Sequence, residues 1–383
     1  MITVENFNSG TYRNNGDFLS FIPSSINDSW IWASSEINEL LSQADREIGA
    51  LSAYSELIPD LDIYIRMHIR VEANKSNRIE GTKTSIEEDM LPKENLISEK
   101  RDDVQEIENY IKAMDYGVKR IVEDGFPFSS RFLRELHQIL LQGVRGEHKT
   151  PGEFRRSQNF IGGSKPSDAL YVPPSIADLD LAMEDFDKFA NRNDNLPVLI
   201  RLAIMHYQFE TIHPFLDGNG RIGRLMIPLY LLAKDILRKP CFYISDYFET
   251  HRSEYYSSLQ DTRVHNDMER WICFFLRASI ATARKAKNTF NRVLHLVDEY
   301  NQYIAGKKKM HTTIGSIIRE MYSRPIASVA MLSEMTGISI ANVNSAVNML
   351  VEDGILGEIT GGKRNRVFLL IEYMEIFTGK DER

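Results

Sequence analysis

The twelve residues from His213 to Arg224, HPFLDGNGRIGR, restrict this chain more than any other stretch: they break one helical pattern, start another, and leave a charged turn between them. Residues 196–212 carry helical apolar periodicity, and Pro214 cannot continue a helix. Gly218, Asn219 and Gly220 tolerate positive φ, so the backbone can fold into a tight concavity. A new helix is expected from residue 221. Its free amides and its dipole point into that concavity, which makes an anion site. Arg221 and Arg224 stand three apart on one face of the first turns, and two guanidiniums beside a helix N-terminus suit a polyphosphate. Asp217 offers one hard oxygen; Mg²⁺ is commonly held by one carboxylate together with phosphates and waters. His213 at the rim can take a proton at neutral pH. Phe215 is expected to point inward and anchor the turn. A histidine before proline, a Gly-Asn-Gly or an Arg pair is ordinary alone. Together in twelve residues they form the parts list for phosphoryl-type transfer, in which positioning and charge stabilisation supply most of the catalysis.

Around this turn the pattern is helical almost throughout. Helices are expected at 35–57, 61–80, 102–123, 131–143, 176–191, 196–212, 221–237, 251–263 and 268–283, the last continuing as a charged helix to 307. Pro59-Asp60 marks a turn, Gly81 stops the second helix, Thr84 with Glu87 fits a capping box, and Ser129 fits an N-cap. The first thirty residues are polar and read as an extended arm. Residues 150–174 mix Gly and Pro with aromatics and read as a loop or irregular hairpin. From 311 to 377 the chain reads as three short helices and two strands around Gly361-Gly362, a winged-helix module. The fold class is therefore all-α, divided as 1–100, 101–305 and 306–383, with Lys307, Lys308 and Lys309 near the last boundary.

The chain has 383 residues, 43% hydrophobic and 26% charged, which suits a multidomain globular protein rather than a disordered one. Its formal net charge of -8 argues against nucleic acid or an anionic membrane as the main partner. Cys241 and Cys273 are too few for a disulfide framework and read as buried hydrophobes. No signal peptide pattern opens the chain, and its longest apolar run, 225–233, is too short for a bilayer. A cytoplasmic setting is the expectation.

The stretch 213–224 resembles the Fic family signature HPFxDGNGRxGR and matches it at every fixed position. The resemblance covers roughly 102–284. It implies an all-α Fic fold, ATP and Mg²⁺ as cofactors, and transfer of AMP to a Ser, Thr or Tyr hydroxyl of a target protein or of the chain itself. By the family pattern His213 deprotonates the target hydroxyl and Asp217 binds the metal. Gly218, Asn219 and Gly220 cradle phosphates, with Ile222 and Gly223 in the same ATP-binding turn, and Arg221 and Arg224 hold the triphosphate. Arg156, Ser157, Gln158, Asn159, Phe160, Ile161 and Gly162 look like the family's flap, which pairs with the target backbone. Tyr255-Tyr256 resembles an aromatic pair bordering the adenine, with Tyr256 assigned to the ATP site.

Ser76-Asn77-Arg78-Ile79-Glu80-Gly81 is similar to the family's inhibitory motif, (S/T)xxxE(G/N), carried on an N-terminal helix of the same chain. A carboxylate in the last turn of a helix opposes the dipole, so Glu80 stands where stability alone would not put it. The resemblance implies that Glu80 pairs with Arg224 and displaces the γ-phosphate, with Ser76 and Gly81 completing the motif. Relatives also use this glutamate to remove AMP, and the direction stays open.

In the winged-helix module, the expected recognition helix at 339–351 contains no Lys or Arg but carries Asn342, Asn344 and Asn348. Lys363, Arg364 and Arg366 cluster in the wing. Residues 306–383 hold 10 basic and 9 acidic residues. That is thin for duplex binding, so protein docking or support of a homodimer is preferred to DNA binding. The alternative to an autoinhibited AMP transferase is a winged-helix transcriptional regulator whose core senses nucleotide. A Fic enzyme acting mainly in de-AMPylation, or one transferring another phosphate-linked group, also stays open.

Overall fold

The N-terminal arm is not simply extended. In the computed structural model, which describes residues 1–58, 60–92, 96–307, 310–361 and 365–379, it forms four short strands: β1 (Ile2–Thr3), β2 (Gly10–Asn14), β3 (Leu19–Pro23) and β4 (Trp30–Ile31). β2 and β3 make an antiparallel hairpin with Thr11 opposite Ile22 and Arg13 opposite Ser20, while β1 pairs with β4 in parallel. The hairpin signal is present as Asn15-Gly16 between the strands. Phe21 is fully buried and Phe7 lies against Trp30. The arm is therefore fastened to the helical body.

Helices follow: α1 (Ser35–Leu57), α2 (Leu61–Ile79), α3 (Ile86–Asp89), α4 (Ser98–Val122), α5 (Ser130–Leu140), α6 (Ile176–Asn191), α7 (Val198–Ile212), α8 (Asn219–Ala233), α9 (Ser245–Thr250), α10 (Arg252–His265) and α11 (Met268–Gly306). Several boundaries differ from the sequence expectation: α4 starts at 98 rather than 102, α5 ends at 140 rather than 143, and α8 ends at 233 rather than 237. The capping box is Ser85 with Glu88, one residue on from the expected pair, because Thr84 is buried and its hydroxyl donates to Asp103. α8 begins at Asn219, two residues early. α11 is one unbroken helix of 39 residues, about 58 Å long at 1.5 Å per residue; no Gly or Pro interrupts it before Gly306. The Pro59 turn lies outside the described residues.

α7 sits at the centre. Every residue from Leu199 to Ile212 is buried, as expected of a helix packed on all sides. Its polar side chains must find partners there. Arg201 donates to Asp194 and to the Phe189 carbonyl. His206 donates from Nδ1 to the Gly223 carbonyl and accepts from the Tyr255 hydroxyl. Burial pushes its pKa down to about 3, so it stays neutral.

α4, α5 and α8 converge at Gly117, where an added Cβ would lie 2.6 Å from Leu229 Cδ1 and 3.2 Å from Leu136 Cδ2. Gly117→Val is expected to lose about 1–3 kcal/mol through overpacking, despite the better intrinsic propensity. A lower urea midpoint at unchanged slope would register it; an unchanged or raised midpoint would mean that the three helices tolerate the added bulk.

Beyond α11 come α12 (His311–Ser323), β5 (Ile326–Ser328), α13 (Val329–Thr336), α14 (Ile340–Glu352), β6 (Leu356–Glu358), β7 (Val367–Leu370) and α15 (Ile371–Thr378). The sheet order β5-β7-β6 with α12–α14 is a winged helix. The wing residues Gly362, Lys363 and Arg364, and Lys308 and Lys309 at the boundary, lie outside the described residues. The module grips α2. Tyr322 meets Tyr64 edge-on at 5.4 Å, Arg319 pairs with Asp60 at 3.0 Å, and Phe377 packs against His68. Among the described residues no helix is long and apolar enough to cross a membrane.

Candidate active site

The turn between α7 and α8 is held from inside. Phe215 is fully buried and stacks on the His137 ring, centroids 3.8 Å apart. His137 Nε2 donates to the Asp217 carbonyl at 2.9 Å, and its Nδ1 accepts from the Gly152 amide. Burial lowers its pKa to about 4, which keeps this tautomer neutral. Asn219 closes the turn with two bonds to Phe215: Oδ1 accepts from the Phe215 amide and Nδ2 donates to its carbonyl, both at 2.8 Å. Of the three residues expected to tolerate positive φ, only Gly218 uses it, at φ 78. Asn219 and Gly220 already belong to α8. The Ile222 amide bonds the Gly218 carbonyl, so residues 219–221 form the open first turn of α8. The Ile222 side chain is fully buried in the core, so only its backbone borders the turn.

His213 caps α7 in the left-handed region, φ 50 and ψ 60. This swings its ring out of the helix line. Its side chain keeps 19% of its surface exposed, while Nδ1 is buried without a hydrogen-bond partner; the open edge of the ring is the one that carries Nε2. Burial and the nearby Arg263 guanidinium push its pKa down to about 4, against the opposing pull of Glu80. A neutral imidazole at pH 7 is ready to accept a proton. Arg155 backs it: buried to 2%, it donates from Nε to the His213 carbonyl and from its terminal nitrogen to the Pro174 carbonyl. Neither Arg155 nor Arg263 is visible as a site residue in the sequence, because both are isolated basic residues whose place is set by long-range packing.

The two signature arginines are occupied by protein groups. Arg224, 1% exposed, donates from Nε to Ser76 Oγ at 2.9 Å. Its terminal nitrogen donates to the Ser76 carbonyl at 3.0 Å and to Glu80 Oε1 at 2.6 Å. Burial alone would raise the Glu80 carboxyl, but Arg224 beside it wins and holds it below the ordinary range. Glu80 therefore stays ionised, and it raises the pKa of Arg224 in turn. Glu80 is the C-cap of α2 and Gly81 follows at φ 104, a conformation that suits glycine. Gly220 makes the pair possible: a Cβ there would sit 2.3 Å from Glu80 Oε1. Arg221 donates to Glu106 at 3.3 Å and to Asp217 Oδ1 at 3.2 Å.

Asp217 is half-exposed, 43% of its side chain. Its Oδ1 also accepts from the Gly218 amide at 2.6 Å, and Oδ2 lies beside Gly146. Among the described residues no group of three or more His, Cys, Asp or Glu gathers as a metal cage. A single hard oxygen beside an anion cradle fits Mg²⁺ held mainly by phosphates and water.

Residues 157–162 border the same opening. Asn159 Nδ2 donates to the His213 and Phe215 carbonyls, and Gln158 to the Pro173 carbonyl. Ile161 pairs with Tyr171 as an isolated antiparallel bridge. Ser157 and Gly162 are exposed, while Phe160 is half-buried. Tyr256 is 44% exposed with the Arg252 guanidinium 5.7 Å from its ring. Its neighbour Tyr255 is instead a core residue, stacked on Phe248.

Residues 127–231 match the Fic/DOC family, residues 38–119 match the Fic/DOC family N-terminal region, and residues 310–356 match a winged helix-turn-helix DNA-binding family. The protein adenylyltransferase Fic of Drosophila grimshawi is 34% identical over 129 residues, 32% of this chain and 25% of that protein. The Drosophila yakuba protein of the same name is also 34% identical over 129 residues, 32% of this chain and 24% of that one. The chain thus spans about a quarter of the length of these curated relatives. A solved Fic family protein from Desulfovibrio desulfuricans G20 superposes with a TM-score of 0.53 at 20% identity, covering 88% of this chain and 96% of that one. Fic-1 from C. elegans superposes at 0.50 and 18% identity, over 67% and 74% of the two chains. Within the chain, the stretch similar to the Fic/DOC family lies between one similar to that family's N-terminal region and one similar to winged helix-turn-helix domains.

Proposed function

We propose that this chain is an autoinhibited protein adenylyltransferase, moving AMP from ATP to a Ser, Thr or Tyr hydroxyl of a target protein or of itself. The observation that carries it is the Arg224 guanidinium. It stands on the first turns of α8 beside the concavity, yet is bound by Ser76 and Glu80 from α2. A polyphosphate clamp held shut by a carboxylate of the same chain is an enzyme in its off state.

In the released state Arg221 and Arg224 hold the β- and γ-phosphates, and the open amides of α8 meet their charge. Asp217 would hold Mg²⁺, which neutralises the diphosphate as it leaves. The Nε2 edge of His213 takes the hydroxyl proton. The oxygen attacks the α-phosphorus, the bond from that phosphorus to the bridging oxygen breaks, and diphosphate departs. Residues 157–162 offer the target segment the backbone of Phe160 and Gly162, on the side of the strand away from the Ile161–Tyr171 bridge.

Within this reading 1–100 is the inhibitory region, 101–305 the catalytic core and 306–383 an accessory module. The module's hold on α2 through Tyr64 and Asp60 supports a role in setting the inhibitory helix. The exposed face of α14 presents Ile340, Ala341, Asn342, Asn344 and Ser345 without a basic residue. That favours protein docking or dimer support over duplex DNA.

ATP labelled at the α-phosphate and ATP labelled at the γ-phosphate separate the chemistries. Protein-bound label is expected from the first and not from the second. Label from γ alone would mean phosphorylation; label from neither, with salt-sensitive duplex binding, would favour a regulator.

A further inference from the structure

Glu210 lies on α7 three residues before His213. Only 7% of it is exposed. Its Oε2 stands 3.9 Å from His213 Nδ1. Its Oε1 and that same Nδ1 are both buried without a hydrogen-bond partner. The ring nitrogen is thus unpaired and a carboxylate oxygen stands near it, while the other oxygen of the same carboxylate is itself unpaired, a costly arrangement in a buried site. At 3.9 Å, Oε2 and Nδ1 are nearer than a water-separated pair but farther apart than a hydrogen bond.

The room for this carboxylate is built in. A Cβ on Gly223 would fall 2.3 Å from Glu210 Oε1 and 3.3 Å from His206 Cε1. The last glycine of the signature thus leaves space for an acid on the neighbouring helix. The charged and titratable groups around Glu210 are Arg224 from α8, Arg263, Tyr255 and Tyr256 from α10, and Glu80 at the end of α2. Burial raises the Glu210 pKa to about 7, with Glu80 adding to the rise and Arg224 and Arg263 opposing it. Replacing Glu80 with glycine removes this like charge, so Glu210 ionises more readily in that background.

We infer that Glu210 is the positioning residue of a Glu–His dyad, its carboxylate accepting from His213 Nδ1–H and so turning the lone pair of Nε2 toward the target hydroxyl. Such a partner fixes the tautomer and makes the ring a stronger base. This rests on the AMP-transfer reading for its rate consequences, but not for its geometry.

The test uses the full chain with Glu80→Gly as the active parent, adding Glu210→Gln or Glu210→Asp. Loss of one charge-assisted hydrogen bond predicts a kcat about 10- to 100-fold lower for Glu210→Gln, with the KM for ATP essentially unchanged. In the parent the dyad is lost as pH falls through the Glu210 pKa, about 7 with Glu80 in place; Glu210→Gln removes that step and leaves the limb set by His213 alone, so the acidic limb of the rate profile moves to lower pH. Glu210→Asp keeps the charge and is expected to hold that limb near the parent's position. A Glu210→Gln variant that melts earlier but keeps the parent's kcat and acidic limb would overturn the proposal. Nitrogen-15 histidine spectra give a readout without turnover, with His213 assigned by its loss in His213→Asn. The Nδ1–H tautomer is expected in the parent and its depletion in Glu210→Leu, whose side chain has no acceptor. An unchanged tautomer sinks the dyad even if AMP is transferred. A changed tautomer without any labelling leaves the dyad standing and sinks the AMP-transfer reading instead.

Discussion

Replacing Glu80 with glycine is expected to raise incorporation of α-labelled AMP into the chain or a lysate target by about a hundredfold, the order of rate lost when a reacting group is held slightly out of line. The size follows from which bonds remain. With Glu80 gone, Arg224 keeps Ser76 Oγ and the Ser76 carbonyl, which hold its Nε and one terminal nitrogen. The terminal nitrogen that Glu80 shared with the Ser76 carbonyl then has no anion beside it. A buried guanidinium without an anion is an unfavourable state, and a γ-phosphate relieves it. The Gly220 slot that now admits the carboxylate then lies open to the phosphate chain. The substitution falls at a helix C-cap, φ -83 and ψ 0, where glycine costs little, so the fold is expected to survive. Glu80→Gln is the companion: it fills the slot but carries no charge, and an intermediate gain is expected. Equal labelling of wild type and both variants would remove the inhibitory role.

The turn was legible in the sequence because its chemistry is local. Pro214, Gly218 and the arginines at 221 and 224 set backbone and charge over a few residues, and a short window contains them all. The Ser76 and Glu80 pairing with Arg224 was legible only through resemblance, since 144 residues separate the partners. What escaped is long-range by nature. Glu210, Arg155 and Arg263 look like unremarkable charges along helices or loops. Only the packing of α7 on all sides makes them buried groups with a task. One signal for Glu210 was available: positions i and i+3 share a helix face, so an acid three residues before His213 is within reach of it. The N-terminal strands escaped because polar alternation hid a hairpin whose only loud signal is Asn15-Gly16. α11 runs on past 283 to its charged half as expected, since no Gly or Pro interrupts it, and that half still buries Phe290, Val293 and Leu296.

The larger loss is expected from removing the imidazole. In the Glu80→Gly background, His213→Ala should lower AMP transfer by about 10²- to 10⁴-fold, the usual contribution of a positioned general base. ATP affinity should stay close to the parent's, because the polyphosphate is held from the other side of the turn, by Arg221, Arg224 and the first amides of α8. One structural effect must be separated from the chemical one. His213 has φ 50, a region that costs a non-glycine residue about 1–3 kcal/mol unless its surroundings enforce it. Alanine at that position could let the turn relax and lose activity through geometry alone. Asparagine visits the left-handed region readily and cannot act as a base, so His213→Asn preserves the backbone while deleting the proton acceptor. Both variants are expected to bind ATP and both to fail in transfer. If His213→Asn labels at the parent's rate while His213→Ala does not, the residue matters for the shape of the turn, and the base lies elsewhere. If both label normally, the proton leaves by a route that does not involve this imidazole.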